Sequence, residues 1–165
     1  HRRSSDLVRG GENMGLISEA GCPAVADPGA NIIQIAHEKG IRVIPLVGPS
    51  SILLALMASG FNGQNFAFVG YLPIDRPQRI KRIKELEKLV YNTNQTQLFI
   101  ETPYRHGSLF TDLIQHCDNN TTLCVATDIT SPNESIRHLS ITQWKKLAGL
   151  AKQLHTRPTV LGLYH

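Results

Sequence analysis

Short apolar runs alternate with longer stretches of helical periodicity through the first seventy residues of this 165-residue chain. Met14–Ser18 reads as a buried strand that stops in the turn-rich stretch Glu19–Gly29. Ile32, Ile33, Ile35 and Ala36 then keep one helical face, which Gly40 ends as a breaker. Arg42–Val47 predicts the next strand, and Gly48-Pro49-Ser50-Ser51 turns it into a second helix closed by Gly60. Phe66–Gly70 is a candidate third strand. Strand, loop and helix repeated in this order are the grammar of a parallel α/β sheet.

The pattern changes at Tyr71–Pro77, where Pro73 and Pro77 mark a linker. Asp75 is placed to cap the following helix, whose apolar positions are Ile80, Ile83, Leu86, Leu89 and Val90. Its outer face is read as Arg76, Arg79, Lys81, Arg82, Lys84 and Lys88 against Glu85 and Glu87. Beyond the polar turn Asn92–Gln95 come a strand (Gln97–Glu101), a helix (Ser108–Cys117) and a strand (Leu123–Ile129). A candidate strand (Ser135–Ile141), a helix (Thr142–Leu154) and a strand (Thr159–Tyr164) complete a second α/β lobe. The expected division falls near Leu72, with residues 1–72 as a first lobe and 73–165 as a second.

Composition narrows the function. A hydrophobic fraction of 41% excludes disorder. No apolar run approaches the ~18 residues of a membrane helix, and His1–Gly11 is too polar for a signal peptide. Three cysteines without CxxC spacing predict neither a disulfide framework nor zinc, and point to a reducing, cytoplasmic setting. Cys22 reads as a small residue in a tight turn rather than a nucleophile. The seven histidines show no HxH or HExxH spacing, so no metal is expected. A net charge of +4 suits an anionic substrate but falls short of a dedicated nucleic-acid arm. GxGxxG, GxxxxGK[ST] and GxSxG are all missing, which removes the common dinucleotide, Walker and hydrolase readings.

Open α/β sheets bind ligands beyond the carboxyl ends of their strands, which singles out three loops. Ser18–Gly29 is rich in small residues, so a ligand can approach its backbone. Val47–Ile52 offers two hydroxyls and free N–H groups at a helix start, for an anion or for its own cap. Glu101-Thr102-Pro103-Tyr104-Arg105 follows a strand end; Glu101 suits a ribose or amine and Arg105 a phosphate or carboxylate. The alternative is an exposed ion pair closing the helix start.

Together these residues carry a family resemblance. Ser18-Glu19-Ala20-Gly21-Cys22-Pro23 with Asp27-Pro28-Gly29 resembles the SDAGTP…DPG loop of the tetrapyrrole methylase superfamily. Pro45-Leu46-Val47-Gly48-Pro49-Ser50-Ser51 is similar to the PxPGPSA of its branch that 2′-O-methylates ribose in small-subunit ribosomal RNA. Leu56 with Ala58-Ser59-Gly60, Phe66–Pro73 and Glu101–Arg105 resemble that branch's ALxxSG, FxFxGFLP and EAPHR.

The resemblance implies an S-adenosylmethionine-dependent methyltransferase of α/β class. Its two lobes would carry a parallel sheet in the first and a mixed sheet in the second, with the cofactor between them, commonly in a homodimer. It implies cofactor contacts from Gly21, Cys22, Pro23 and Val25, and from Ser50, Ser51 and Ile52 in the second loop. Ile100 and Glu101, Ala126 and Thr127, and Pro158, Thr159 and Val160 complete the expected pocket. Arg105, Arg76 and Arg79 are the expected substrate contacts. Methyl transfer to a ribose hydroxyl needs alignment, desolvation and one proton acceptor, for which Glu101 is the nearest candidate.

Two departures bear on the substrate and on the extent of the chain. The branch's RELTKxxE stretch is here Thr127–Glu134, keeping only Thr130 and Glu134, and the His of EAPHR is Tyr104. Loss of those basic groups weakens phosphate binding, so a tetrapyrrole or another small molecule stands beside RNA as acceptor. A non-catalytic RNA-binding module built on the basic Arg76–Lys88 helix is the other alternative. The family also opens with a strand and glycine-rich loop that residues 1–11 do not match. The chain is therefore expected to lack the N-terminal segment and to be inactive or very weak alone.

Overall fold

The computed structural model describes residues 13–147, 149, 154 and 156–165. The chain divides into two compact units, His1–Ser50 and Ser51–His165.

In the smaller unit, helix α1 spans Ala30–Glu38. It ends as the sequence predicts: Gly40 takes φ +65°, and Ile41 N–H donates back to the Ala36 carbonyl at 2.9 Å. That left-handed closure is what glycine provides at lowest cost. At the other end of α1, a Cβ on Gly29 would lie 2.5 Å from Leu16 Cδ2, so Leu16 needs the bare backbone there.

Met14–Ser18 and Arg42–Val47 depart from expectation. Both run without regular secondary structure, and the described residues of this unit hold no parallel ladder. A strand exists only through its partner, and an apolar run cannot supply one by itself. Their apolar side chains stand open accordingly, Ile17 at 89% exposure and Leu46 at 88%.

The larger unit is built on a five-stranded mixed sheet in the order β1-β2-β5-β3-β4. Its strands are β1 (Phe66–Tyr71), β2 (Thr96–Ile100), β3 (Thr122–Thr127), β4 (Ser135–Ser140) and β5 (Thr159–Tyr164). β1 and β2 are parallel, and the other three pairings are antiparallel. Thus β1, inside the expected first lobe, belongs to the sheet of this unit.

The period of two along the strands sorts side chains to the two faces. Phe99, Leu123, Val125, Leu161 and Leu163 pack with helices α3 (Arg76–Thr93), α4 (Pro103–His116) and α5 (Ile141–Lys145). Leu98, Cys124, Ala126 and Val160 pack on the opposite face with helix α2 (Ser51–Ser59) and Phe61. Gly162 gives these side chains room, because a Cβ would come within 3.1 Å of Leu98 Cδ2 and 3.2 Å of Phe61 Cε2.

Asp75 caps α3 as expected, its Oδ1 accepting from Gln78 N–H at 3.2 Å. Two readings of the helices are corrected. Helix α4 starts at Pro103 rather than Ser108, because proline at the first turn is pre-set for helix and needs no N–H partner; the apolar spacing begins only at Leu109. Arg79 is not on the outer face: it is 5% exposed and shares the buried stripe with Ile83, Leu86 and Val90, while Leu89 lies at the exposed edge. Its Nε and Nη2 both donate to Asp112 Oδ2 of α4, at 2.9 and 2.6 Å, and Nη1 donates to the Ile74 carbonyl.

The expected helix Thr142–Leu154 appears as α5, opened by a capping box between Ser140 and Gln143. Residues 148 and 150–153 of that expected helix lie outside the described ones. Among the described residues no helix is long and apolar enough to cross a membrane.

Candidate functional site

The carboxyl ends of β1, β2 and β3 share one end of the sheet with the start of β5. Ladder register makes Ile100 the partner of Val160, Val160 the partner of Ala126, and Thr159 the partner of Thr127. Six of the sequence-derived candidates thereby meet here on three adjacent strands, counting Glu101 directly after Ile100. Ala55 of α2 packs on Ala126 and Val160 at this end. The Thr159 hydroxyl donates to the Arg157 carbonyl at 3.0 Å, and Thr127 Oγ1 lies 3.4 Å from it.

Glu101 anchors the end of β2. Its side chain is fully buried, and Oε1 accepts from Thr102 N–H at 2.7 Å and from Arg105 Nε and Nη2 at 2.9 and 2.6 Å. The pair is therefore not the exposed one of the alternative reading: the carboxylate is sealed and only the guanidinium edge meets solvent. Oε2 has no hydrogen-bond partner among the described residues.

Beside it sits His106, 1% exposed, with neither ring nitrogen closing a hydrogen bond of normal geometry among the described residues. Burial holds its pKa below the usual 6.5, against the opposing pull of the Glu101 charge and the Leu154, Glu101 and Thr159 backbones around the ring. His106 is neutral at neutral pH. The sequence reading missed this residue because it screened histidines for metal spacing. A histidine one turn into a helix, five residues after a strand-end acid, was the available signal.

In the smaller unit the two candidate loops touch. Cys22 Sγ lies 3.5 Å from the Pro49 carbonyl, and Val25 N–H closes a turn on the Cys22 carbonyl at 3.2 Å. Gly21, Ala24 and Ala26 all take left-handed φ, which costs the two alanines on the order of 1 kcal/mol each. A Cβ on Gly21 would meet open space. Ser50 closes this unit and Ser51 opens the next.

The expected substrate arginines scatter. Arg105 is committed to Glu101. Arg76 donates to Asp112 Oδ1 at 2.9 Å and to Gln115 Oε1 at 3.3 Å, with much of its side chain in solvent. Arg79 is sealed against Asp112. The thiols of Cys117 and Cys124 are pushed up by burial, that of Cys124 to about 11, so neither is a nucleophile at neutral pH. No group of three metal-ligating side chains occurs among the described residues.

The family model for Tetrapyrrole (Corrin/Porphyrin) Methylases matches residues 2–144. The chain belongs to the tetrapyrrole methylase family. Among curated relatives, the Mesorhizobium japonicum protein named ribosomal RNA small subunit methyltransferase I is 34% identical over 130 residues, covering 79% of this chain and 43% of its own length. Its Halalkalibacterium halodurans namesake is 35% identical over 113 residues, covering 68% and 37%. The chain thus spans less than half the length of these relatives. Among solved structures, the methyltransferase CobJ superposes with TM-score 0.63 at 16% identity, covering 97% of this chain and 67% of that one. A diphthine synthase superposes with TM-score 0.60 at 16% identity, covering 87% and 57%. At these identities the likeness is one of fold.

In this tetrapyrrole methylase chain, the two residues retained from the RELTKxxE pattern prove to be partners: Thr130 N–H donates to Glu134 Oε2 at 2.7 Å. They close the β3–β4 connection on itself.

Proposed function

We propose that the full-length protein is an S-adenosylmethionine-dependent methyltransferase that acts on a ribose hydroxyl of RNA. The observation that carries this reading is the register that gathers Ile100-Glu101, Ala126-Thr127 and Thr159-Val160 at one end of the sheet, beneath Ala55 of α2. Backbone groups, hydroxyls and small side chains, with one unclaimed carboxylate oxygen, fit a nucleoside-bearing cofactor that needs hydrogen bonds and close approach rather than acid–base chemistry. The names of the curated relatives support RNA as the acceptor.

The cofactor supplies an electrophilic methyl group on a sulfonium. The chain's part is to exclude water, align the acceptor oxygen with that methyl group and take one proton. Gly21–Val25 and Ser50–Ile52 from the first 72 residues, and Ile100, Glu101, Ala126, Thr127 and Pro158–Val160 from the remainder, are assigned to cofactor binding. Glu101 is the nearest candidate for that proton acceptor, a role that requires ligand binding to uncover its buried Oε2. Arg105 fixes the orientation of that carboxylate by pairing with Oε1. Arg76, with Lys81, Lys84 and Lys88 exposed further along α3, is assigned to the RNA backbone. Arg79 remains a packing residue, its donors already engaged. A homodimer in the cytoplasm follows from the family resemblance and completes the proposal.

Calorimetric titration of S-adenosylhomocysteine into the full-length protein tests this. Micromolar binding, with methylation of ribose in small-subunit RNA, is expected. No heat at high micromolar ligand overturns the cofactor assignment, and binding without RNA methylation turns the acceptor toward a small molecule.

A further inference from the structure

The connection between β3 and β4 carries no Arg or Lys from Asp128 to Glu134, yet a guanidinium sits against it. Arg157, just ahead of β5, donates from Nε to Asp128 Oδ2 at 2.7 Å and from Nη2 to the Asn133 carbonyl at 2.5 Å. The backbone doubles the link, because Asp128 N–H donates to the Pro158 carbonyl at 2.9 Å. Asp128 and Arg157 are 18% and 30% exposed, so the pair is shielded from much of the solvent screening that weakens surface pairs.

The connection so held is unusual. Asp128 and Thr130 both adopt left-handed backbone, φ +49° and +69°. For the β-branched Thr130 that is an outlier, and such residues persist only where their surroundings over-determine them. Arg157 at one end and the Thr130–Glu134 bond at the other provide that determination.

The residues next to the clamp are Thr127 and Pro158-Thr159, the adjoining strand ends of the site. Arg157 reaches Thr159 a second way, because its own carbonyl accepts the Thr159 hydroxyl. A clamp that ties the end of β3 to the start of β5 fixes the separation of the two threonines across the ladder. Fixing a site before its ligand arrives removes ordering cost from binding.

We propose that Arg157 is a positioning residue of the cofactor site, its guanidinium setting how Ala126-Thr127 and Thr159-Val160 meet S-adenosylmethionine. The inference rests on the methyltransferase reading above.

The test uses full-length protein carrying Arg157→Ala, Arg157→Lys or Asp128→Asn. S-adenosylhomocysteine affinity, the KM–kcat split and Tm are measured for each. Arg157→Ala and Asp128→Asn are expected to weaken S-adenosylhomocysteine about tenfold and raise KM for S-adenosylmethionine alike, the loss of a charge-assisted hydrogen bond, with kcat within about twofold. Arg157→Lys keeps the charge without the planar fork and recovers part of the affinity. Affinity within about twofold of wild type in both Arg157→Ala and Asp128→Asn, whatever the change in Tm, overturns the role. Should Arg157→Ala not fold, the near-isosteric Asp128→Asn decides. Wild-type protein that binds no S-adenosylhomocysteine removes the methyltransferase reading and this role together; wild-type binding with unaffected variants removes this role alone.

Discussion

The sheet of the larger unit and the loops of the smaller one carry the same kind of sequence and behave differently. Both contain short apolar runs punctuated by glycine and proline. In Phe99, Leu123 and Leu161 those runs are sealed between helices; in Ile17 and Leu46 they face outward. What separates them is the ladder. Each buried strand borrows its position from a neighbour, whereas Met14–Ser18 and Arg42–Val47 have none among the described residues. Candidate residues on the sheet are therefore placed to within a hydrogen bond. Those on the loops are placed only relative to one another, through contacts such as Cys22 with Pro49.

The sharpest way to break that contrast is to attack what holds the helices to the sheet. Asp112→Ala leaves the Arg79 guanidinium buried without its partner, and about 3–5 kcal/mol of stability is expected to be lost in urea unfolding. Replacing the pair together, Arg79→Met with Asp112→Leu, is expected to recover most of that loss. If the double variant were as unstable as the single one, an uncompensated charge would not be the cause.

Gly162→Ala attacks the sheet itself. The added methyl must displace Leu98 and Phe61, for an expected loss of about 1–3 kcal/mol in the same assay.

Acidity provides a third handle, through His106. Its folded pKa lies below the unfolded 6.5 because burial disfavours the cation, so the unfolded state binds the proton more readily. Stability is expected to be full above pH 6.5, to fall as the pH drops from there toward the folded value, and to level off below it. His106→Asn removes that dependence; an unchanged pH profile of Tm in that variant would show that another group is responsible.

The smallest effect is expected in the loops. Leu46→Ser should change unfolding stability by no more than about 0.5 kcal/mol in this chain. A loss above 1 kcal/mol would mean that Leu46 is covered after all, and the contrast between the two regions would narrow.

Much of the larger unit was legible in the sequence. Thr159–Tyr164 forms a strand over the predicted residues, Asp75 caps its helix, and the strand-end rule singled out Glu101. These features depend on neighbours a few residues away, or on the general placement of ligands in α/β sheets. The rest depends on distant partners. Arg79 is buried because Asp112, thirty-three residues on, reaches it, and no periodicity in α3 announces that. An apolar run becomes a strand only where a second strand lies beside it. Helix α4 began early because a proline at its first turn outweighed the late start of its apolar spacing. His106 went unnoticed because its burial is made by residues as far along the chain as Leu154 and Thr159.

The position of β5 has a consequence for synthesis. It is the latest of the five strands in chain order, yet it lies between β2 and β3. Until residues 159–164 leave the ribosome, the strands can form only two separate pairs, β1 with β2 and β3 with β4. Each pair then carries an open edge made of residues destined for the centre of the sheet. Such edges are templates for wrong partners. The nascent chain therefore waits, half-paired and in need of protection, for β5 to join the halves.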